Sequence, residues 1–164
     1  MSARRPTLAG YSLLVVCAVA APAAIAAVSC TASATGPAFG TYSPLSVSPL
    51  AANANVTVNC TLLRGGATTV NATLSLSAGA SGSFATRTML SGATRLNYNL
   101  YQSAAYAQVW GDGTGGSFTG MASLRLTPAN RTQAVTKVAY GRIPALQDIG
   151  AGAYLDTIVV TVAY

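Results

Sequence analysis

Histidine is absent from this sequence, and so is glutamate; Asp112, Asp148 and Asp156 are its only acidic side chains and Lys137 its only lysine. Without histidine the usual general base and the commonest metal ligand are gone. Paired-acid hydrolysis would need two of the three aspartates to converge. Asp112 sits in the glycine-rich turn Gly111-Asp112-Gly113-Thr114-Gly115-Gly116, and Asp148 and Asp156 flank a loop, so turn and strand-end roles account for them. That turn also lacks the lysine and following helix of a phosphate loop. A Ser–Lys dyad would have to use Lys137, and nothing in the pattern places a serine against it. No enzyme, cofactor, metal site or small-molecule substrate is expected.

Charge is equally scarce. Only 7% of residues are charged, so the surface must be made from Ser, Thr, Asn, Gly and Ala. The basic residues beyond the N-terminus (Arg64, Arg87, Arg95, Arg125, Arg131, Lys137 and Arg142) form neither a run nor a stripe, which argues against nucleic acid as a partner. An uncharged polar surface of this kind suits extracellular fibres and outer-membrane barrels better than cytosolic enzymes.

Long apolar runs are missing too, except near the start. Arg4 and Arg5 precede the apolar stretch Tyr11–Ala21, and Ala24-Ile25-Ala26 is a small-x-small cleavage site, so residues 1–27 read as a cleaved signal peptide. Pro22 and the shortness of the run argue against a membrane anchor. Removing this segment takes Cys17 with it and lowers the formal charge from +6 to about +4. Cys30 and Cys60 remain, in an exported chain where disulfides persist, and the pair is expected to be bridged. The rival reading, acylation of Cys30 at a lipoprotein-like Val28-Ser29-Cys30 site, meets Ala27 where such sites usually carry leucine. Residues 28–164 suit one domain with a single core.

What is present is β-structure. Asn53–Leu63 alternates with Val56, Val58, Cys60 and Leu62 on one face; Val70–Ser77, Phe84–Leu90, Arg95–Gln102, Ser123–Leu126 and Thr132–Arg142 continue in the same manner, with short strands expected at Phe39–Tyr42 and Gln108–Trp110. Gly, Pro and Asn divide them, as in an antiparallel sandwich or barrel. The last stretch, Gly150–Tyr164, places Tyr154, Asp156, Ile158, Val160, Val162 and Tyr164 on one face of a strand and Leu155, Thr157, Val159, Thr161 and Ala163 on the other. Apolar residues reach both faces, which predicts a strand buried on both sides. Its second neighbour must come from earlier in the chain or from another molecule.

Several pieces of the chain together resemble the spore coat protein U family and the related subunits of archaic, Csu-type chaperone–usher pili: Cys30, Ala38-Phe39-Gly40-Thr41-Tyr42, Val56-Thr57-Val58-Asn59-Cys60, Leu96-Asn97-Tyr98-Asn99-Leu100-Tyr101, Val109-Trp110-Gly111-Asp112-Gly113, Tyr140-Gly141-Arg142-Ile143, Gln147 and Gly152 through Tyr164. The resemblance implies an all-β, immunoglobulin-like sandwich that lacks its last strand, with Cys30 and Cys60 matching the family disulfide. It implies a hydrophobic groove beside the final strand, lined by Tyr154, Ile158, Val160, Val162 and Tyr164 (or, from the opposite face, Val159 and Ala163). A periplasmic chaperone would fill that groove first, an outer-membrane usher would receive the subunit, and a neighbouring subunit would then donate a strand. Polymerising subunits carry an alternating donor segment before the first cysteine. Cleavage after Ala26 would leave only Ala27-Val28-Ser29 there, so this chain is expected to accept a strand without donating one and to cap a surface fibre at its adhesive tip. The competing expectations are an outer-membrane β-barrel, suggested by the C-terminal alternation ending on Tyr164, and a soluble secreted or spore-coat component.

Overall fold

The computed structural model describes residues 25–164. Most of the segment read as a signal peptide therefore lies outside the described residues. Eight strands follow in order: β1 (Ala27–Thr35), β2 (Leu50–Arg64), β3 (Thr68–Leu76), β4 (Arg87–Ser91), β5 (Thr94–Tyr101), β6 (Gly120–Leu126), β7 (Thr132–Ile143) and β8 (Val160–Ala163), with one 3₁₀ turn at Gly79–Ser81. Pairing is antiparallel throughout the strand ladders. One sheet has the order β1-β2-β7-β5-β4 and the other β6-β3-β8.

Alternation along the chain makes the core. Val56, Val58, Cys60 and Leu62 of β2 point inward with Ala72, Leu74 and Leu76 of β3, Leu96, Tyr98 and Leu100 of β5, and Ala122, Leu124 and Leu126 of β6, all buried. Such faces meet because successive side chains of a strand point to opposite sides, so a period of two gives one apolar face per strand. The outward positions of β2 and β7 carry Thr57 and Thr61 against Thr136 and Thr132, with hydroxyl pairs at 2.8 and 3.2 Å. An apolar interior, a polar exterior and two open sheets are the reverse of a lipid-facing barrel. Cys30 and Cys60 face each other across β1 and β2 and form a disulfide.

The structure departs from the sequence expectations in four places. Phe39–Tyr42 is not a strand: it belongs to an irregular crossing between β1 and β2. Phe39 packs edge-on to Tyr98, with ring centroids 6.1 Å apart, and against the backbone of Gly141, where an added Cβ would lie 2.7 Å from the Phe39 ring and 2.8 Å from the Ala52 carbonyl. The Tyr42 hydroxyl donates to Pro144 O (3.0 Å) and accepts from Gln147 N (2.7 Å), so side chains anchor the crossing where a ladder would otherwise do so. The strand expected over Phe84–Leu90 starts only at Arg87. The carbonyls of Phe84 and Ala85 are taken by the Asn99 side-chain amide (2.8 and 3.3 Å) and so leave the ladder.

The third departure is the final stretch. It is not one continuous strand, nor is it buried on both faces: Val159 and Tyr164 are each 60% exposed. Leu155 bridges Leu90 of β4, through bonds of 2.8 and 3.0 Å, whereas Val160–Ala163 pairs with β3 in the other sheet. The chain changes sheets at Asp156. The Asp156 carboxylate accepts from Tyr98 Oη (2.7 Å), Ala80 N (2.8 Å) and Thr157 N (2.8 Å), tying β5 of one sheet to the turn that follows β3 of the other. Gly79 sits against that carboxylate with φ +66°, where a side chain would collide with it. Gln108–Trp110 contributes only isolated bridges, Tyr101↔Val109 and Trp110↔Phe118.

Two buried polar anchors hold the sandwich. Trp110 Nε1 donates to Leu74 O at 2.9 Å. Arg87, fully buried, has no carboxylate among its hydrogen-bond partners; it donates to Ser77 O twice (3.0 and 2.9 Å), to Trp110 O (2.7 Å) and to Asn99 Oδ1 (2.6 Å). Desolvation lowers its pKa below the ordinary arginine value. Carbonyl dipoles from both sheets thus replace a counter-ion.

These contacts carry three predictions. Replacing both Cys30 and Cys60 with alanine removes a covalent closure of 30 residues and should lower the free energy of unfolding by about 3–4 kcal/mol on the chain-entropy account, read from denaturant midpoints under non-reducing conditions. Asp156→Ala leaves Tyr98 Oη and Ala80 N without their acceptor and should cost about 1–3 kcal/mol. Burial first, and then the hydrogen bond to Asp156, raise the Tyr98 pKa above its ordinary value. The folded chain therefore holds this proton more tightly than the unfolded chain does. The resulting stabilisation is complete below about pH 10, the free tyrosine pKa, and is lost as the pH rises above it. Unfolding midpoints should fall on the alkaline side, and Tyr98→Phe should flatten that fall; an unchanged alkaline slope in the variant would exclude Tyr98 as its source.

Candidate functional site

In a sheet ordered β6-β3-β8 the inner strand is β3, and β8 is paired on one side only. β8 forms because Val160, Thr161 and Val162 favour extended backbone, and its register on β3 places Val162 against Leu74 and Val160 against Leu76. Ser77 extends the contact, its N–H donating to Val159 O (2.9 Å) and its Oγ accepting from Val159 N (2.9 Å). Beyond β8, toward β1, no strand covers the interior among the described residues.

A cavity of about 320 Å³ opens there. One bank is the end of β1 and the start of the crossing, Ala34 to Pro37 with Phe39. The other is the segment Tyr154, Leu155, Asp156, Ile158 and Val160, and the floor includes Val56, Leu76, Leu100 and Ala139. A second cavity of about 720 Å³ shares Pro37, Phe39, Met89 and Tyr154 with the first and continues to the end of the sandwich between residues 37–44 and 149–154. Together they form a continuous, mostly apolar trough along the inner flank of the last segment.

Of the residues expected to line a groove, Tyr154, Ile158 and Val160 border the first cavity, and Val162 packs partly buried against the same core further along β8. Tyr164 does not line either cavity. It is 60% exposed, and its hydroxyl accepts a hydrogen bond from Cys30 N at 3.1 Å, which brings β8 to β1 at that end of the trough. Val159 is on the exposed outer face, as is Ala163. The sequence reading missed the opposite bank, Ala34–Phe39, and the floor residues Met89 and Tyr98. Phe39 lay within the Ala38–Tyr42 motif, but with that motif read as a strand its ring had no reason to turn into the interior.

The trough offers shape and unpaired backbone, with little chemistry. Its one acidic side chain, Asp156, is engaged with Tyr98, Ala80 and Thr157. Asp112 lies elsewhere, in its own turn, where hydrogen bonds from Thr114 Oγ1 (2.6 Å) and Thr114 N (2.8 Å) lower its pKa. Among the described residues no group of three or more metal-ligating side chains gathers. An edge strand beside an apolar trough can do one thing well: take an extended segment of another chain, with main-chain hydrogen bonds to the edge and alternate side chains in the cavity.

Comparison with known proteins agrees with this geometry. The family model described as Spore Coat Protein U domain matches residues 15–161. Protein U of Myxococcus xanthus is 31% identical over 133 residues, covering 77% of this chain and 70% of that protein. Among solved structures, a chain of the CsuC-CsuE chaperone-tip adhesion subunit pre-assembly complex, from the archaic chaperone-usher Csu pili of Acinetobacter baumannii, superposes with a TM-score of 0.51 at 22% identity; the match covers 84% of this chain but 40% of that one, so the likeness is one of fold. With the family model spanning nearly the whole described sandwich, this chain belongs to the Spore Coat Protein U domain family.

Proposed function

We propose that this protein is a non-catalytic, strand-accepting subunit of an exported surface fibre of the chaperone–usher type. The observation that carries the reading is the one-sided pairing of β8 beside an apolar trough. A visiting strand lying against β8 would bond to its free backbone edge and place every second side chain between Ala34–Phe39 and Tyr154–Val160. Each aliphatic side chain buried in this way contributes about 1.5–3 kcal/mol, and several in register are enough to hold a complex. The occupant would be a strand of a periplasmic chaperone before assembly and a segment of a neighbouring subunit afterwards, with an outer-membrane usher mediating the exchange. The solved structure of similar fold is a chaperone–subunit pre-assembly complex, which supports a chaperone as the first of these partners.

Position at the tip is the finer part of the proposal. In this structure Ala27, Val28 and Ser29 already pair with β2, opposite Arg64, Leu62 and Thr61. If cleavage falls after Ala26, no residues remain to cross a neighbour's trough, so the subunit would receive a strand and give none.

Co-expression in a periplasm with a chaperone of this type should yield a soluble one-to-one complex, displaced by a synthetic donor peptide of alternating apolar residues. Val160→Asp, which puts a charge into the trough, should weaken the complex at least tenfold, or about 1.4 kcal/mol. A chain that is stable and monomeric alone, with the Val160–Ala163 amides protected from hydrogen exchange, would show that it closes its own sheet and would overturn the reading. N-terminal sequencing of the exported chain tests the tip position: a start at Ala27 or Val28 agrees with it, and ten or more residues ahead of Cys30 would exclude it.

A further inference from the structure

The outer face of the five-stranded sheet carries a cluster that strand acceptance does not use. On that face Asn99 of β5 lies opposite Arg142 of β7, and Tyr101 opposite Tyr140. A cavity of about 370 Å³ opens beside them, bordered by Asn97, Tyr101, Arg142, Thr86, Pro49 and Pro144. That volume lies within the usual range for small-molecule sites. The cavity is on the opposite side of the sheet from the trough.

Tyr106 explains how the arginine is held. It is one of two non-glycine residues with positive φ (53°) among those described, in a loop closed by Tyr106 N to Ser103 O (3.1 Å) and Gln102 N to Gln108 O (3.0 Å). A tyrosine keeps such a backbone only where its surroundings fix it. Here the Tyr106 ring meets Tyr101 edge-on at 5.4 Å, and the Arg142 guanidinium carbon lies 5.0 Å over its centroid. The ring holds the guanidinium by a cation–π contact and accepts no hydrogen bond from its N–H groups.

Those donors have no acceptor among the described residues, and Arg142 is the one charged residue bordering the cavity. Arg64, Arg95, Arg125 and Lys137 also have no hydrogen-bond partner among the described residues, but none of them borders this cavity; what sets Arg142 apart is its place on the cavity border with its guanidinium over the Tyr106 ring. A guanidinium fork with its donors free matches a planar carboxylate. A phosphate would be expected to draw on more than one cation or on a nest of backbone N–H groups, and the cavity border offers a single cation. The remaining walls include the Tyr101 ring, two prolines, the exposed Asn97 amide and the Thr86 hydroxyl, which suit the faces and hydroxyls of a sugar ring.

We propose that Arg142, Tyr101 and Asn97 form a binding site for a carboxylated pyranose, such as a uronic acid unit of an acidic polysaccharide. The Arg142 fork takes the carboxylate, the Tyr101 ring lies against the pyranose, and the Asn97 amide bonds to a ring hydroxyl. Tyr106 is a positioning residue that fixes the guanidinium.

The test is a titration of the exported chain, in whatever form it is recovered, alone or with its chaperone, followed by NMR and calorimetry. Methyl glucuronide should bind saturably and shift the amides of Thr86, Asn97 and Tyr101; methyl glucoside, which lacks the carboxylate, should bind at least tenfold more weakly. Arg142→Gln should weaken glucuronide at least tenfold. Arg142→Lys, which keeps the charge but loses the fork, should lose most of that affinity too and serves if the glutamine variant misfolds. Glucuronide and glucoside binding equally, no saturable binding of glucuronide, or full affinity in either variant would overturn the site. Acetate binding as tightly as glucuronide would overturn the sugar assignment. Because the site and the trough lie on opposite sides of the sheet, failure here leaves the strand-accepting reading standing, and failure of chaperone binding leaves this site standing.

Discussion

Every strand has two hydrogen-bonding edges, and the last strand of this chain uses one. The rest of the sandwich is arranged around that imbalance. On its paired side β8 continues the ladder of β3, with Val160 and Val162 set against Leu76 and Leu74. On its other side lie the open interior and, across it, the end of β1. Buried backbone groups without partners are costly, and exposed strand edges invite association. β8 differs from the other edge strands β1, β4 and β6 in lying beside an apolar trough, and on the proposed reading a strand of another chain completes it there.

The interior has been stiffened so that the gap does not collapse. Phe39 wedges onto Gly141 at one end, and the Tyr164 hydroxyl ties β8 to the backbone of Cys30 at the other. Between them Asp156 clamps the chain at the point where it passes from one sheet to the other. Arg87 adds a hub of carbonyl contacts joining Ser77, Trp110 and Asn99. Phe39 and Asp156 stand on the borders of the trough, whereas the Tyr164 contact and the Arg87 hub lie outside its lining. Polar anchors of this kind are directional, so they can fix the spacing of two sheets where apolar packing alone would let them close.

Much of this was legible in the sequence because it rests on alternation, which a strand writes directly into residue order. β2, β3, β5, β6 and β7 could be placed within a few residues, whereas Tyr154, Ile158 and Val160 share a cavity border with Leu155, which strict alternation would put on the other face. What was not legible depends on contacts between distant residues. Nothing local to Tyr154–Tyr164 announces that Asp156 will break it into a bridge to β4 and a short strand on β3, since the partners that do so, Tyr98 and Ala80, are 58 and 76 residues away. The Phe39–Tyr42 stretch has strand-like composition, and only the bare backbone of Gly141 gives the Phe39 ring a place to turn inward. Tyr164 fell on the expected face by parity but beyond the last β3 partner, where the alternation no longer faces the core.

The Cys30–Cys60 bridge also decides how this domain would carry tension. Pulled from its N-terminal side, β1 could peel from the sheet one residue at a time, as an edge strand does, but only as far as Cys30. From there the load passes covalently to Cys60 in β2, a strand flanked by β1 on one side and β7 on the other. Further extension would have to slide β2 against its neighbours, breaking many ladder bonds together. A domain that would otherwise unzip under drag is thereby made to resist in shear.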